Sequence, residues 1–149
     1  MNETEIEARH EIELEEYAMR IQIEGRILGD IARNHIIPTS IRYQNILIKN
    51  VRGLKDIYAD DFARHAKEQL EIIESISSHI ASINSNVNAM IEARKIANKL
   101  EDAEEKAFAY CDDVKPYFEE IRYHCDKLEL LVDDEIWPLA KYRELLFTR

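Results

Sequence analysis

The chain has 149 residues, of which 34% are charged, with a formal net charge of −10. That balance argues against nucleic acid or an acidic membrane as partner, since both call for a basic footprint. Three glycines and three prolines are too few for the turns of a sandwich, barrel or doubly wound fold, so composition favours long helices.

The first helix is expected from about Glu3 to Arg33. Leu14, Tyr17, Ile21, Leu28 and Ile31 recur at helical spacing. Ile23 and Ile27 add a second apolar side, so cover on more than one face is expected. Gly25 and Gly29 lie on one face, which favours close approach of another backbone over a mere weak spot of about 1 kcal/mol per glycine. Residues 1–16 carry seven Glu against Arg9, whereas residues 17–55 carry seven Arg and Lys against Glu24 and Asp30.

"NHIIPTSIRYQN" (34–45) comes next. A helix running on through Pro38 would drive its ring into the carbonyl of Asn34 and withhold a donor. A kink is expected there, with Thr39, Arg42 and Gln44 serving carbonyls near Asn34 and His35. The second helix is expected from about Pro38 to Leu54, with Ile41, Leu47, Ile48, Val51 and Leu54 inward. Gly53 and "LKDIYADD" read as its exit and a loop, with Asp60 or Asp61 as the next N-cap.

Ile73, Ile76, Ile80, Ile83, Val87 and Met90 then form a heptad seam. A second seam runs through Ala107, Cys111, Val114, Phe118, Ile121, Cys125, Leu128 and Val132. With a turn between Leu100 and Glu101 the two agree in phase, Ile73 facing Leu128 and Met90 facing Cys111. The expectation is an antiparallel coiled-coil-like hairpin roughly 40 Å long or more at ~1.5 Å per residue. Asp102 with Glu105 resembles a capping box. Pro116 should kink the second arm while the seam keeps phase. Cys111 and Cys125, about 21 Å apart along one helix face, cannot form a disulfide unless the helix folds back at Pro116, and they read as buried free thiols. In "DDEIWPLAKYRELLFTR", Pro138 starts a short helix carrying Leu139, Tyr142 and Leu146, and Trp137 anchors it.

The expected architecture is all-α: a helical bundle with a proline-kinked N-terminal helix and a long hairpin. It forms one domain over 1–149, divided near 3–55, 60–133 and 134–149. Chemistry is not visible in it. The many acid pairs point about 100° apart on a helix and do not converge. A di-iron bundle needs two Glu-x-x-His motifs, and only Glu7-Ala-Arg-His10 matches. His35, His65, His79 and His124 are scattered and read as surface or core-edge residues, the last two flanking the seams. No signal peptide pattern is present, and two cysteines fit reduced thiols in a cytoplasm.

The stretches "EARHEIELEEY" (7–17), "RIQIEGRILGDIARNHIIPTSIRYQN" (20–45), "NVRGLK" (50–55), "EDAEEKAFAYCDDVKPYF" (101–118) and "IRYHCDKLELLVDDEIWPLAKYRELLFTR" (121–149) resemble the C-terminal region of type III glutamine synthetases. The resemblance covers the whole chain and is least distinctive over 75–88. It implies a piece of a cytoplasmic enzyme that joins ammonia to glutamate with ATP and divalent metal, Mg or Mn, inside a homo-oligomer, a dodecamer. The catalytic motifs of that family lie in a preceding domain and none occurs here, so no catalytic, cofactor or metal residue is carried over. The candidate docking and joint residues are Gly25, Gly29, His35, Pro38, Arg42, Gln44 and Trp137, with the hairpin projecting outward. The alternative is a free-standing helical interaction module. The acidic helical pattern already running near Met1 favours a longer reading frame.

Overall fold

A computed structural model of the chain describes residues 2–139. Its α-helices are α1 (Glu3–Ile31), α2 (Ile37–Tyr58), α3 (Phe62–His65), α4 (Lys67–Asn98), α5 (Ala103–Ala109) and α6 (Pro116–Leu131). π-turns at Ala32–Ile36 and Tyr110–Val114 join α1 to α2 and α5 towards α6, and a 3-10 turn, Ala59–Asp61, comes after α2. No strand occurs among the described residues, so the all-α class holds. The chain divides into two compact units, one built from Met1–Asp30 with Asn84–Arg122, the other from Ile31–Ile83 with Tyr123–Arg149.

In the first unit α1 buries Ala18, Ile21, Gly25 and Gly29. A Cβ added at Gly25 would stand 3.2 Å from Phe118 Cε1 and 3.6 Å from Met90 Sδ. One added at Gly29 would meet Met90 Cε and Val87 Cγ1, each at 3.6 Å. The missing side chains thus let residues of α4 and α6 press directly on the α1 backbone. α4 closes through Lys99 N–H to the Ile96 carbonyl and Leu100 N–H to the Ala97 carbonyl, both 3.2 Å. Asp102 then caps α5, its carboxylate accepting from the Glu105 N–H at 3.0 Å, as the sequence anticipates.

The second seam departs from expectation at one place. Ala107, Tyr110, Val114, Phe118 and Ile121 are buried, and Cys111 is exposed. The cause is the π-turn, which holds one residue more than an α-turn. Tyr110 and Val114 therefore come to the same side, and Cys111 rotates outward. Beyond the turn the expected phase resumes with Cys125, Leu128 and Val132 buried in the second unit. On α4, Ile76, Ile83, Val87 and Met90 are buried while Ile73 and Ile80 are half-buried.

In the second unit α2 does not end at Gly53. No glycine has a positive φ, so Gly53 makes no turn and sits in open space on an exposed helix surface. The exit comes at Ala59, whose φ of 51° breaks the helix and whose N–H still reaches the Lys55 carbonyl. Asp61 stands at the N-cap of α3 but makes no cap bond. Its carboxylate instead takes the Arg64 guanidinium at 2.8 Å and faces His65 Nε2 at 3.4 Å. The Arg64 hydrogen bonds hold the Asp61 carboxyl below its ordinary range. Tyr58 stacks on the His65 ring at 3.6 Å, which closes the corner. Ile41, expected inward, is exposed, because the buried face of α2 runs through Thr39 and Ser40. Trp137 is buried, and Pro138 and Leu139 are exposed in a bend; the rest of the short helix expected from Pro138 lies outside the described residues. Tyr142 and Leu146 lie outside the described residues.

The three glycines should answer differently to substitution. Gly53→Ala is expected to stabilise the chain by about 0.5–1 kcal/mol, since it gains helix propensity and meets nothing. Gly25→Leu is expected to lose roughly 1–3 kcal/mol by overpacking against Phe118. Urea unfolding followed by circular dichroism measures both; equal effects would deny the close approach at Gly25.

Candidate functional site

Both internal prolines use the same device. In each case the residue before proline sends its N–H five back: Ile37 to the Ala32 carbonyl ahead of Pro38, and Lys115 to the Tyr110 carbonyl, at 2.9 Å, ahead of Pro116. Proline lacks the donor an α-turn needs, and its ring crowds the carbonyl four residues back. A wider turn displaces that carbonyl, so the helical path continues. Such π-turns inside helices recur at functional positions, which makes these two turns the places where chemistry is to be sought.

Around Pro38 the polar side chains are engaged, though not as the sequence suggests. Ser40 Oγ donates to the Ile36 carbonyl at 2.8 Å and is fully buried. Arg42 donates to the Thr39 hydroxyl at 3.1 Å, with Thr39 buried and Arg42 exposed. Gln44 leaves the turn altogether: its amide donates to the Ile73 carbonyl at 2.9 Å and to Ser77 Oγ at 2.7 Å, tying α2 to α4. Gln69 makes a second tie, donating to Asn50 at 2.8 Å. His35 and Pro38 are exposed. Sequence reasoning missed Ser40, although a serine inside a helix can bond back to the carbonyl four residues before it.

The turn before Pro116 offers different groups. Tyr110 is fully buried, and its hydroxyl bonds the Asn98 side chain, a short contact between the start of the second arm and the end of α4. Burial raises the Tyr110 pKa. The exposed Cys111 thiol hydrogen-bonds Tyr17 of α1, and that bond, with burial second, raises the Tyr17 pKa. Beside Cys111 lies a recess of about 360 Å³ walled by Lys115 and Arg122 on one hand and Glu24 and Glu119 on the other. Opposed charges in equal number give it no preference for an anion or a cation. Gly25 and Gly29, read as docking residues, have their face taken by Phe118, Met90 and Val87. Val87, Met90 and Phe118 are therefore part of the packing of α1 within the first unit.

In the second unit His79 and His124 meet, Nδ1 to Nδ1 at 2.9 Å. One nitrogen must carry the hydrogen and the other accept it, so the contact needs at least one neutral imidazole. Tyr123 lies edge-on to His124 at 5.0 Å. Burial chiefly, then the charges of His124 and Lys127, lower the His79 pKa. Cys125, next to His124 in the sequence, has its buried thiol pushed up to about 12, by burial first and the Asp126 charge second. Among the described residues no group of three or more His, Cys, Asp or Glu side chains is placed to hold a metal ion, and no described helix is long and apolar enough to cross a membrane.

Comparison with known proteins supplies what local chemistry does not. Residues 1–55 match the family described as "Glutamine synthetase C-terminal domain". Over 99% of its length the chain is 50% identical to a glutamine synthetase of Bacteroides fragilis. It is 26% identical over 100% of its length to a type-3 glutamine synthetase of Dictyostelium discoideum, and 26% identical over 97% to a glutamine synthetase of Butyrivibrio fibrisolvens. The chain spans 20% of the length of each of these curated relatives and matches their C-terminal end.

The two thiols should separate cleanly on alkylation. In the native protein at neutral pH, iodoacetamide is expected to add once, at Cys111, and a second time at Cys125 only in denaturant, as read by peptide mass spectrometry. A Cys111 that stays unmodified in the native protein would deny the rotation imposed by the π-turn, and a native adduct at Cys125 would deny its burial. The histidine pair sets a pH dependence. The His79 pKa is lowered on folding, so the unfolded state binds the proton more readily. The contribution is therefore present above the ordinary pKa near 6.5 and is lost as pH falls through that value towards the lowered one. His79→Gln is expected to flatten the fall in midpoint temperature between about pH 7 and 5.

Proposed function

From the match of residues 1–55 to the glutamine synthetase C-terminal domain family and the 50% identity to a glutamine synthetase along 99% of the chain, we propose that this chain is the C-terminal structural and assembly region of a type III glutamine synthetase. In this reading the parent is a cytoplasmic homo-oligomer, a dodecamer by resemblance. It joins ammonia to glutamate with ATP and Mg or Mn in a catalytic domain preceding these residues. The observation that carries the reading is the 50% identity along 99% of the chain to a relative of which it spans only 20%.

The side chains supply rigidity, which is what a structural part of an enzyme requires. Two prolines carried by π-turns, the Gln44 ties to α4 and the glycine-mediated packing of α1 each fix a helix within its own unit. The exposed face near Pro38, with His35 and Arg42, serves as a joint that sets the angle to the enzyme body, and the buried Trp137 anchors the chain beyond α6. The ATP-bound metal belongs to the preceding domain, and the ligation itself runs there.

Removing these residues from the full-length enzyme tests the proposal. Sedimentation velocity should show loss of the ring assembly, and glutamine formation should fall with it. An intact ring of undiminished activity would overturn the assembly role. A gene that reads no further upstream would leave a free-standing interaction module instead. Arg42→Ala in the full-length enzyme is the narrower probe, expected to weaken assembly while leaving the helicity of this region unchanged.

A further inference from the structure

The face of α1 opposite the glycines is left over once the proposed function is assigned. Ile12, Met19, Ile23 and Ile27 are each more than half exposed. At 100° per residue they fall within a sector of about 80°, and the buried Ala18, Ile21, Gly25 and Gly29 fill another of similar width roughly opposite. Single exposed apolar side chains are ordinary. Of the five residues that this sector holds between Ile12 and Ile27, four are apolar and only Glu16 is charged, so they make a stripe, and a helix apolar on two opposed sides is a helix covered on two sides.

The start of the same helix points the same way. Every residue from Asn2 to Glu13 is exposed, Ile6 included. A helical stretch of that length without tertiary contacts is marginal in water, and seven glutamates within residues 1–16 do not help it. It needs a partner surface along its length. The span of the relatives adds a third indication: this chain corresponds to one fifth of their length at their C-terminal end. In a protein of that length the remaining four fifths of the polypeptide enter at the beginning of α1, beside the stripe. The family match, residues 1–55, also falls on the helix that carries it and not on α4 to α6.

We infer that the outer stripe of α1, Ile12, Met19, Ile23 and Ile27, is the docking surface for the preceding part of the same polypeptide. The occupant presents an apolar strip. Its edges are acidic where they meet Arg20 and Arg26, which bound the stripe on either side and are themselves exposed. This rests on the assembly reading, and it names the face by which α1 meets the body. The glycine face is excluded from that role because Phe118, Met90 and Val87 already fill it.

Hydrogen exchange measured by mass spectrometry on the full-length enzyme and on the 149-residue chain tests the inference. Amides over residues 5–27 should exchange about tenfold or more slowly in the full-length enzyme. The pair Ile23→Glu with Ile27→Glu should abolish that difference while leaving the helicity of the 149-residue chain unaltered. Equal exchange in the two wild-type proteins overturns the inference without recourse to any variant. Protection in the 149-residue chain that disappears on dilution also overturns it, because the stripe is then covered by a second copy. Loss of assembly on deleting the region, with α1 unprotected in the intact enzyme, defeats this face alone. Persistence of the ring after that deletion defeats the assembly reading itself.

Discussion

A proline inside a helix removes one hydrogen-bond donor and brings its ring against the carbonyl four residues back. This chain meets that constraint twice with the same answer, a turn in which the preceding residue bonds five back, Ile37 to Ala32 and Lys115 to Tyr110. Much of the packing depends on it. The turn before Pro116 decides that Tyr110 lies in the core and Cys111 outside. That in turn makes the Tyr110–Asn98 bond and the Tyr17–Cys111 bond possible. After the turn before Pro38, Thr39 and Ser40 are buried, and Ser40 Oγ donates to the Ile36 carbonyl.

Packing of α1 rests on the opposite circumstance, absence of side chain instead of absence of donor. Gly25 and Gly29 weaken a helix by roughly 1 kcal/mol each, yet they admit Phe118, Met90 and Val87 to contact with its backbone. The close contact means that α1 has one face committed within the chain, while Ile12, Met19, Ile23 and Ile27 stay exposed on the other.

Legibility in the sequence tracks the range of the interaction involved. The helical class and the Asp102 cap come from local spacing, and the residues stand as that spacing requires; the glycine face is crowded too, though by the side chains of Phe118, Met90 and Val87 and not by the backbone that its spacing suggests. Phase is lost where one residue is absorbed inside a turn, because heptad counting assumes a constant number of residues per turn. Hence Cys111 reads as core and Tyr110 does not. Gly53 reads as punctuation, but a glycine without positive φ stops nothing, and the real stop is Ala59 at φ 51°. Of the site around Pro38, the polar composition is legible and the bonding is not. Gln44 serves α4 at a separation of 29 and 33 residues, which no local pattern contains. The histidines are readable as flanking the seams, but their meeting at 2.9 Å depends on side-chain rotation about those seams.

The π-turns also bear on how this sequence can change over time. A helix that carries one residue more than its pattern has an insertion stored in place, without the loop that insertions ordinarily need. Deleting any single residue from 110–114 would restore an ordinary α-turn and at once set Pro116 against a carbonyl. Exchanging Pro116 alone would free the turn to tighten, and α6 would then turn relative to α5 by about one residue, near 100°. Proline and the extra residue are therefore a coupled pair, in which a change to one alone disturbs the path of the helix.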